Sequence, residues 1–88
     1  MNWERHEHAG ANKADYRLIV SGRDTGIEVK WCGHPTAHRP YYITGPGTPD
    51  PIEQAYRTAR LAQAAALTCY LKREGRAVPP DALDGLTP

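Results

Sequence analysis

The side chains with the most chemical potential fall in one short run, Trp31-Cys-Gly-His-Pro-Thr-Ala-His-Arg-Pro-Tyr-Tyr-Ile43. It holds a thiol, two imidazoles, a guanidinium and two phenols between Gly33, Pro35 and Pro40. Three chemistries can be asked of it. Cys32, His34 and His38, with the distant Cys69, are the residue types that bind zinc, and His34-x3-His38 is a plausible ligand pair. Cys69, however, lies 37 positions from Cys32 (69 − 32 = 37) and belongs to no second paired knuckle. The expectation is therefore no metal and no cofactor. A Cys–His nucleophile would need an orienting third group and an oxyanion site, and nothing in the sequence marks either. The expectation is a protein that is not an enzyme.

Binding is the third chemistry. Proline fixes its own φ and biases the residue before it towards extended backbone, so Pro35 and Pro40 should stiffen the loop. A stiff loop loses less ordering entropy when it docks, and Arg with Tyr is a composition frequent at interface hot spots. His34, His38, Arg39 and Tyr42 are the candidate partner-binding residues, with Leu61 and Leu71 on a helix surface as a second part of the interface. A competing reading places Arg17, Lys30 and Tyr42 on an open sheet face, with Arg23 at the hairpin tip, where they would contact phosphates and stack on bases.

The elements that must position these groups follow from patterning. Tyr16, Leu18 and Val20 alternate with Arg17, Ile19 and Ser21, and Ile27, Val29 and Trp31 alternate with Glu28, Lys30 and Cys32. Both are half-buried strands, joined by a hairpin connection over Gly22–Gly26. Trp31 shares the face of Ile27 and Val29 and should be core. Tyr41–Thr44 is a short third strand, and Pro40 at its mouth suggests a sheet edge. Gly45-Pro-Gly-Thr-Pro-Asp-Pro51 is a hard break. After it, Asp50 as N-cap, Pro51 and Glu53 predict a helix from Pro51 to about Glu74, closed by Gly75. Ile52, Tyr56, Ala59, Ala66 and Tyr70, flanked by Ala55, Ala62 and Cys69, form its inner stripe. Leu61, Ala64, Ala65, Thr68 and Leu71 fall on its outward arc.

The expected fold class is α+β, a three-stranded antiparallel sheet packed against one C-terminal helix (βββα). Residues 1–13 read as a flexible arm, 14–75 as the domain and 76–88 as a tail. Eighty-eight residues suit one small domain. Eleven basic and ten acidic side chains give a net charge of +1, so no global charge draws the chain to nucleic acid or an anionic membrane. No apolar run reaches the roughly 20 residues of a membrane-spanning helix. With two cysteines and no apolar leader, a soluble, cytoplasmic protein is expected.

The run Cys32-Gly-His-Pro-Thr-Ala-His-Arg-Pro-Tyr-Tyr42 resembles a signature of small uncharacterised proteins of proteobacterial phages and prophages. The likeness covers about a dozen residues and, more loosely, the Ala-rich helix, and it transfers no site residue. It implies a phage-type accessory protein that binds and inhibits a host machine, in the manner of inhibitors of CRISPR-type defence. The implied partner is a host protein or a protein–nucleic-acid complex, met by a monomer or weak homodimer. The alternative is a small DNA-binding module that uses the exposed sheet face.

Overall fold

The computed structural model describes residues 2–8, 10, 13–34, 36–50 and 54–76. Its elements in chain order are strands β1 (Asn2–His8), β2 (Lys13–Val20), β3 (Arg23–Trp31) and β4 (Tyr41–Thr44), then helix α1 (Ala59–Arg73). The class is α+β, and the sheet is antiparallel in the order β1-β2-β3-β4, four strands where three were expected. The additional strand is the N-terminal stretch read as an arm. Its register against β2 runs from Asn2↔Ile19 to His8↔Lys13. Trp3 is its one large apolar residue and most of its length is exposed, so β1 carries no alternating hydrophobic signal.

The β2–β3 connection is tighter than the five residues expected. Val20 pairs with Arg23, leaving Ser21 and Gly22 at φ 52° and 75°, the two positive values of a type I′ turn. Gly26 lies inside β3 instead, at a bulge. The pairing passes from Ile19↔Asp24 to Arg17↔Glu28, so Thr25, Gly26 and Ile27 together stand opposite Leu18. Side chains satisfy the backbone groups this frees. Gly26 N–H donates to Asp24 Oδ1 (2.8 Å), and Ile27 N–H donates to Thr25 Oγ1 (3.2 Å). The Thr25 hydroxyl in turn donates to the Leu18 carbonyl (2.9 Å). Gly45 comes so close to this bulge that a Cβ there would sit 2.4 Å from the Gly26 carbonyl oxygen.

β4 is an edge strand, as Pro40 suggested, and its outer edge is partly closed by Tyr56. Tyr41 and Tyr56 exchange two backbone hydrogen bonds, of 3.1 and 2.6 Å. That bridge sets extended pairing at Tyr56, and α1 begins after it. The N-cap is Thr58, at φ −129° and ψ 155°, whose hydroxyl accepts the Leu61 N–H (3.2 Å). Asp50 lies outside the helix, and 51–53, where it was expected to start, are outside the described residues. The other end follows the sequence. Gly75 at φ 69° donates to the Lys72 carbonyl (3.1 Å) and Arg76 N–H donates to that of Leu71 (2.9 Å), closing a Schellman motif.

The core forms where α1 lies across β3 and β4. Leu18, Ile27, Val29, Tyr41 and Ile43 from the sheet meet Ala62 and Ala66, both fully buried. Alanines at the contact bring the helix backbone close to the sheet, so the stripe through Ala59, Ala62, Ala66, Cys69 and Tyr70 is the inner one. Leu71 corrects the outward arc, since it is only 4% exposed. Trp31 is half-buried and packs at the margin of the core, not within it. The predicted tail, 76–88, lies outside the described residues from 77 onward. Among the described residues, no helix is long and apolar enough to cross a membrane.

Candidate partner-binding site

The loop between β3 and β4 is held by its own backbone. At its root Trp31 pairs with Tyr41, and Cys32 N–H donates to the Pro40 carbonyl at 2.7 Å. Nearer the tip Ala37 N–H donates to the His34 carbonyl (3.1 Å), and Gly33 takes φ 86°, a turn that favours glycine. Pro35 lies outside the described residues. These bonds leave His34, Thr36, His38 and Arg39 exposed. Among the described residues, the side chains of His34, His38 and Arg39 have no hydrogen-bond or ion-pair partner. Their donors and acceptors are free for another molecule.

A second set of residues, which sequence reasoning missed, fixes the root of this loop. Asp15 Oδ1 accepts both the Trp31 N–H (2.9 Å) and a bond from His8 Nε2 (2.8 Å). Because the acceptor is a carboxylate, Nε2 is the protonated nitrogen of His8. The His8 ring also meets Trp31 edge to face, with centroids 5.2 Å apart at 66°. β1 and β2 thus tie down the first residue before the loop. No local motif could announce the cluster, because the sheet register alone brings positions 8, 15 and 31 together.

Tyr42 lies two positions beyond the loop on the sheet face away from α1, opposite Lys30. There the cations are already engaged. Arg17 Nη2 lies 3.3 Å from Glu28 Oε1, Arg17 Nε lies 3.4 Å from Asp24 Oδ2 outside hydrogen-bonding geometry, and Lys30 Nζ lies 3.7 Å from Glu28 Oε2. The face reads as alternating charge. Arg23 does not join it, since pairing with Val20 puts Arg23 on the helix side. It lines a groove of about 600 Å³ with Tyr70, Arg73 and Glu74. Arg73 there stacks over Tyr70 (5.3 Å) and pairs with Glu74 (3.6 Å). The four residues of the DNA-binding reading therefore do not share one surface.

Leu61 is half-buried on α1, across the sheet from Tyr42, and Leu71 is buried, so the helix does not extend the loop surface. The cysteines are also apart in role. Cys69 packs beside the core, and burial pushes its thiol above the ordinary value, with Lys72 opposing. Burial likewise pushes up the phenols of Tyr41 and Tyr56. Among the described residues, no three histidine, cysteine or acidic side chains gather as a group able to hold a metal ion.

Set beside protein-family models, curated proteins and solved structures, the chain matches none.

Proposed function

We propose that this chain is a small non-catalytic binding protein that docks on a partner protein through the β3–β4 loop, with His34, His38 and Arg39 as its contacts and Tyr42 beside them. The observation that carries this reading is the contrast in how the polar groups are used. Among the described residues, the His34, His38 and Arg39 side chains are exposed and unpartnered on a backbone held by its own hydrogen bonds, whereas Arg17 and Lys30 are paired with Asp24 and Glu28. A held loop lowers the ordering cost of docking, and a charge-paired sheet face offers little net attraction to phosphate. The likeness of the loop to small phage proteins supplies the rest of the proposal. The partner is a host machine, protein or protein–nucleic-acid complex, met in the host cytoplasm and inhibited by occupation, as in inhibition of CRISPR-type defence.

The test compares two double variants, Arg39→Ala with Tyr42→Ala and Arg17→Ala with Lys30→Ala. Both are checked for folding, then used to capture the target from host lysate with and without nuclease treatment. Loss in the first pair alone, with weak salt dependence, is the expected result. Loss in the second pair alone, with a steep fall in affinity as salt rises, would overturn it in favour of the DNA-binding module.

A further inference from the structure

β1 leaves one edge of the sheet open. The opposite edge, β4, is met by Tyr56, but among the described residues the backbone of Asn2–His8 bonds to β2 alone. The strand is seven residues long, and its register against β2 has no bulge. Proteins commonly blunt such an edge with charged side chains, lysine above all, or with proline or a bulge. β1 has no lysine, proline or bulge, and its charges come in both signs, so they repel a second copy in some registers and not in others. It carries Glu4, Arg5, His6, Glu7 and His8 in series, acids interleaved with bases.

We propose that β1 is a self-association edge, pairing antiparallel with β1 of a second copy about a two-fold axis at His6 and joining two four-stranded sheets into one of eight (4 + 4 = 8). A two-fold axis normal to the sheet keeps each face on its own side, so it passes midway between the two copies of one residue and sets that residue against itself. Centring on Glu4, Arg5 or Glu7 opposes like charges directly, which destabilises a pairing. Centring on His6 does not. Arg5 of each copy then faces Glu7 of the other, and Glu4 faces His8.

The positions agree with the faces of the sheet. Arg5 and Glu7 pair with Tyr16 and Ala14 of β2 on the helix side, and Glu4, His6 and His8 lie on the other. Within one chain Arg5 Nη2 lies 3.5 Å from Glu7 Oε1, and His6 Nε2 lies 2.7 Å from Glu4 Oε1. A second copy at about 5 Å across the strands closes the Arg5 and Glu7 groups into a square of alternating sign. The occupant of this edge is thus another copy of the chain, chosen by charge.

Sedimentation velocity on the full chain over a range of concentrations tests this. The wild type should dimerise reversibly and less tightly as salt rises. Arg5→Glu and Glu7→Arg each put like charges opposite one another twice, and each alone should raise the dimer dissociation constant roughly tenfold or more. Both side chains are exposed (52% and 71%), and circular dichroism confirms that each variant is folded. Mixing the two variants restores opposite charges at both positions, and a heterodimer should form. A wild type that stays monomeric at every concentration overturns the proposal, as do single variants that dimerise like the wild type or a mixture that does not associate.

Discussion

The two halves of the sheet hold to the molecule in different ways. β3 and β4 lie under α1, and Ile27, Val29 and Ile43 are at most 1% exposed against Ala62 and Ala66. β1 is joined to β2 by a full ladder, yet five of its seven residues are exposed and its side-chain contacts are mostly ionic. Apolar burial is worth about 25 cal/mol per Å², whereas an exposed ion pair contributes about 0–1 kcal/mol. The core under α1, to which β2 contributes the fully buried Leu18, therefore carries the stability, and β1 with the outer face of β2 supplies charged surface and the Asp15–His8 anchor of the loop.

The largest effect that could break this contrast is a truncation in the covered half. Ile43→Ala should cost about 2–5 kcal/mol in denaturant unfolding. On a total of about 5–15 kcal/mol, that is enough to leave a visible unfolded fraction. Trp3→Ala removes a larger side chain from β1 and should nevertheless cost less. A greater loss at Trp3 would mean that β1 shares the core.

Two glycines sharpen the comparison next. Gly45 (φ 130°) and Gly10 (φ 76°) both have positive φ, which alone disfavours alanine by about 1–3 kcal/mol. A Cβ at Gly10 meets nothing within 4 Å, but at Gly45 it collides with the Gly26–Ile27 backbone. Gly45→Ala should therefore lower the melting temperature more than Gly10→Ala, the difference measuring how closely β3 and the turn after β4 are packed.

Smaller again is the helix cap. Thr58→Ala should cost about 0.5–2 kcal/mol and reduce helical ellipticity by fraying the first turn of α1. An unchanged melting curve would place the start of the helix elsewhere.

The smallest effect is alkaline. Tyr41, Tyr56 and Cys69, all in the packed half, hold their protons more tightly when folded. Above the ordinary thiol and phenol values the unfolded chain binds fewer protons than the native one, so stability should fall as pH rises, first above about 9 through Cys69 and further above about 10 through the two tyrosines. Thermal melts across that range check the direction. Cys69→Ala should remove the lower part of the decline.

Much of this architecture was legible in the residues. Alternation at Tyr16–Val20 and Ile27–Trp31 marked β2 and β3, Pro40 marked an edge, and the small inner stripe through Ala62 and Ala66 marked the face of α1. Gly75 marked its end. The loop was legible too, because its prolines and its density of polar aromatic and basic groups are local facts. β1 was not, since a strand polar on both faces has no period-two signal to read. The start of α1 was misplaced because Asp50-Pro51 and Thr58 are both plausible caps, and propensity cannot choose between them.

The sequence by itself determined the α+β class, the two central strands, the C-terminal helix with its alanine face, and the exposed His34–Arg39 loop, all of which rest on contacts or preferences within a few residues. Tertiary structure decided the rest. Pairing with β2 made a strand of Asn2–His8, and the Tyr41–Tyr56 bridge precedes the helix, which is capped at Thr58. The bulge at Thr25–Ile27 and the close approach of Gly45 set the packing of β3, and the register brought His8, Asp15 and Trp31 together beneath the loop. Each of these depends on hydrogen bonds or contacts between residues far apart in the chain, whose partners become defined only when the whole sheet forms.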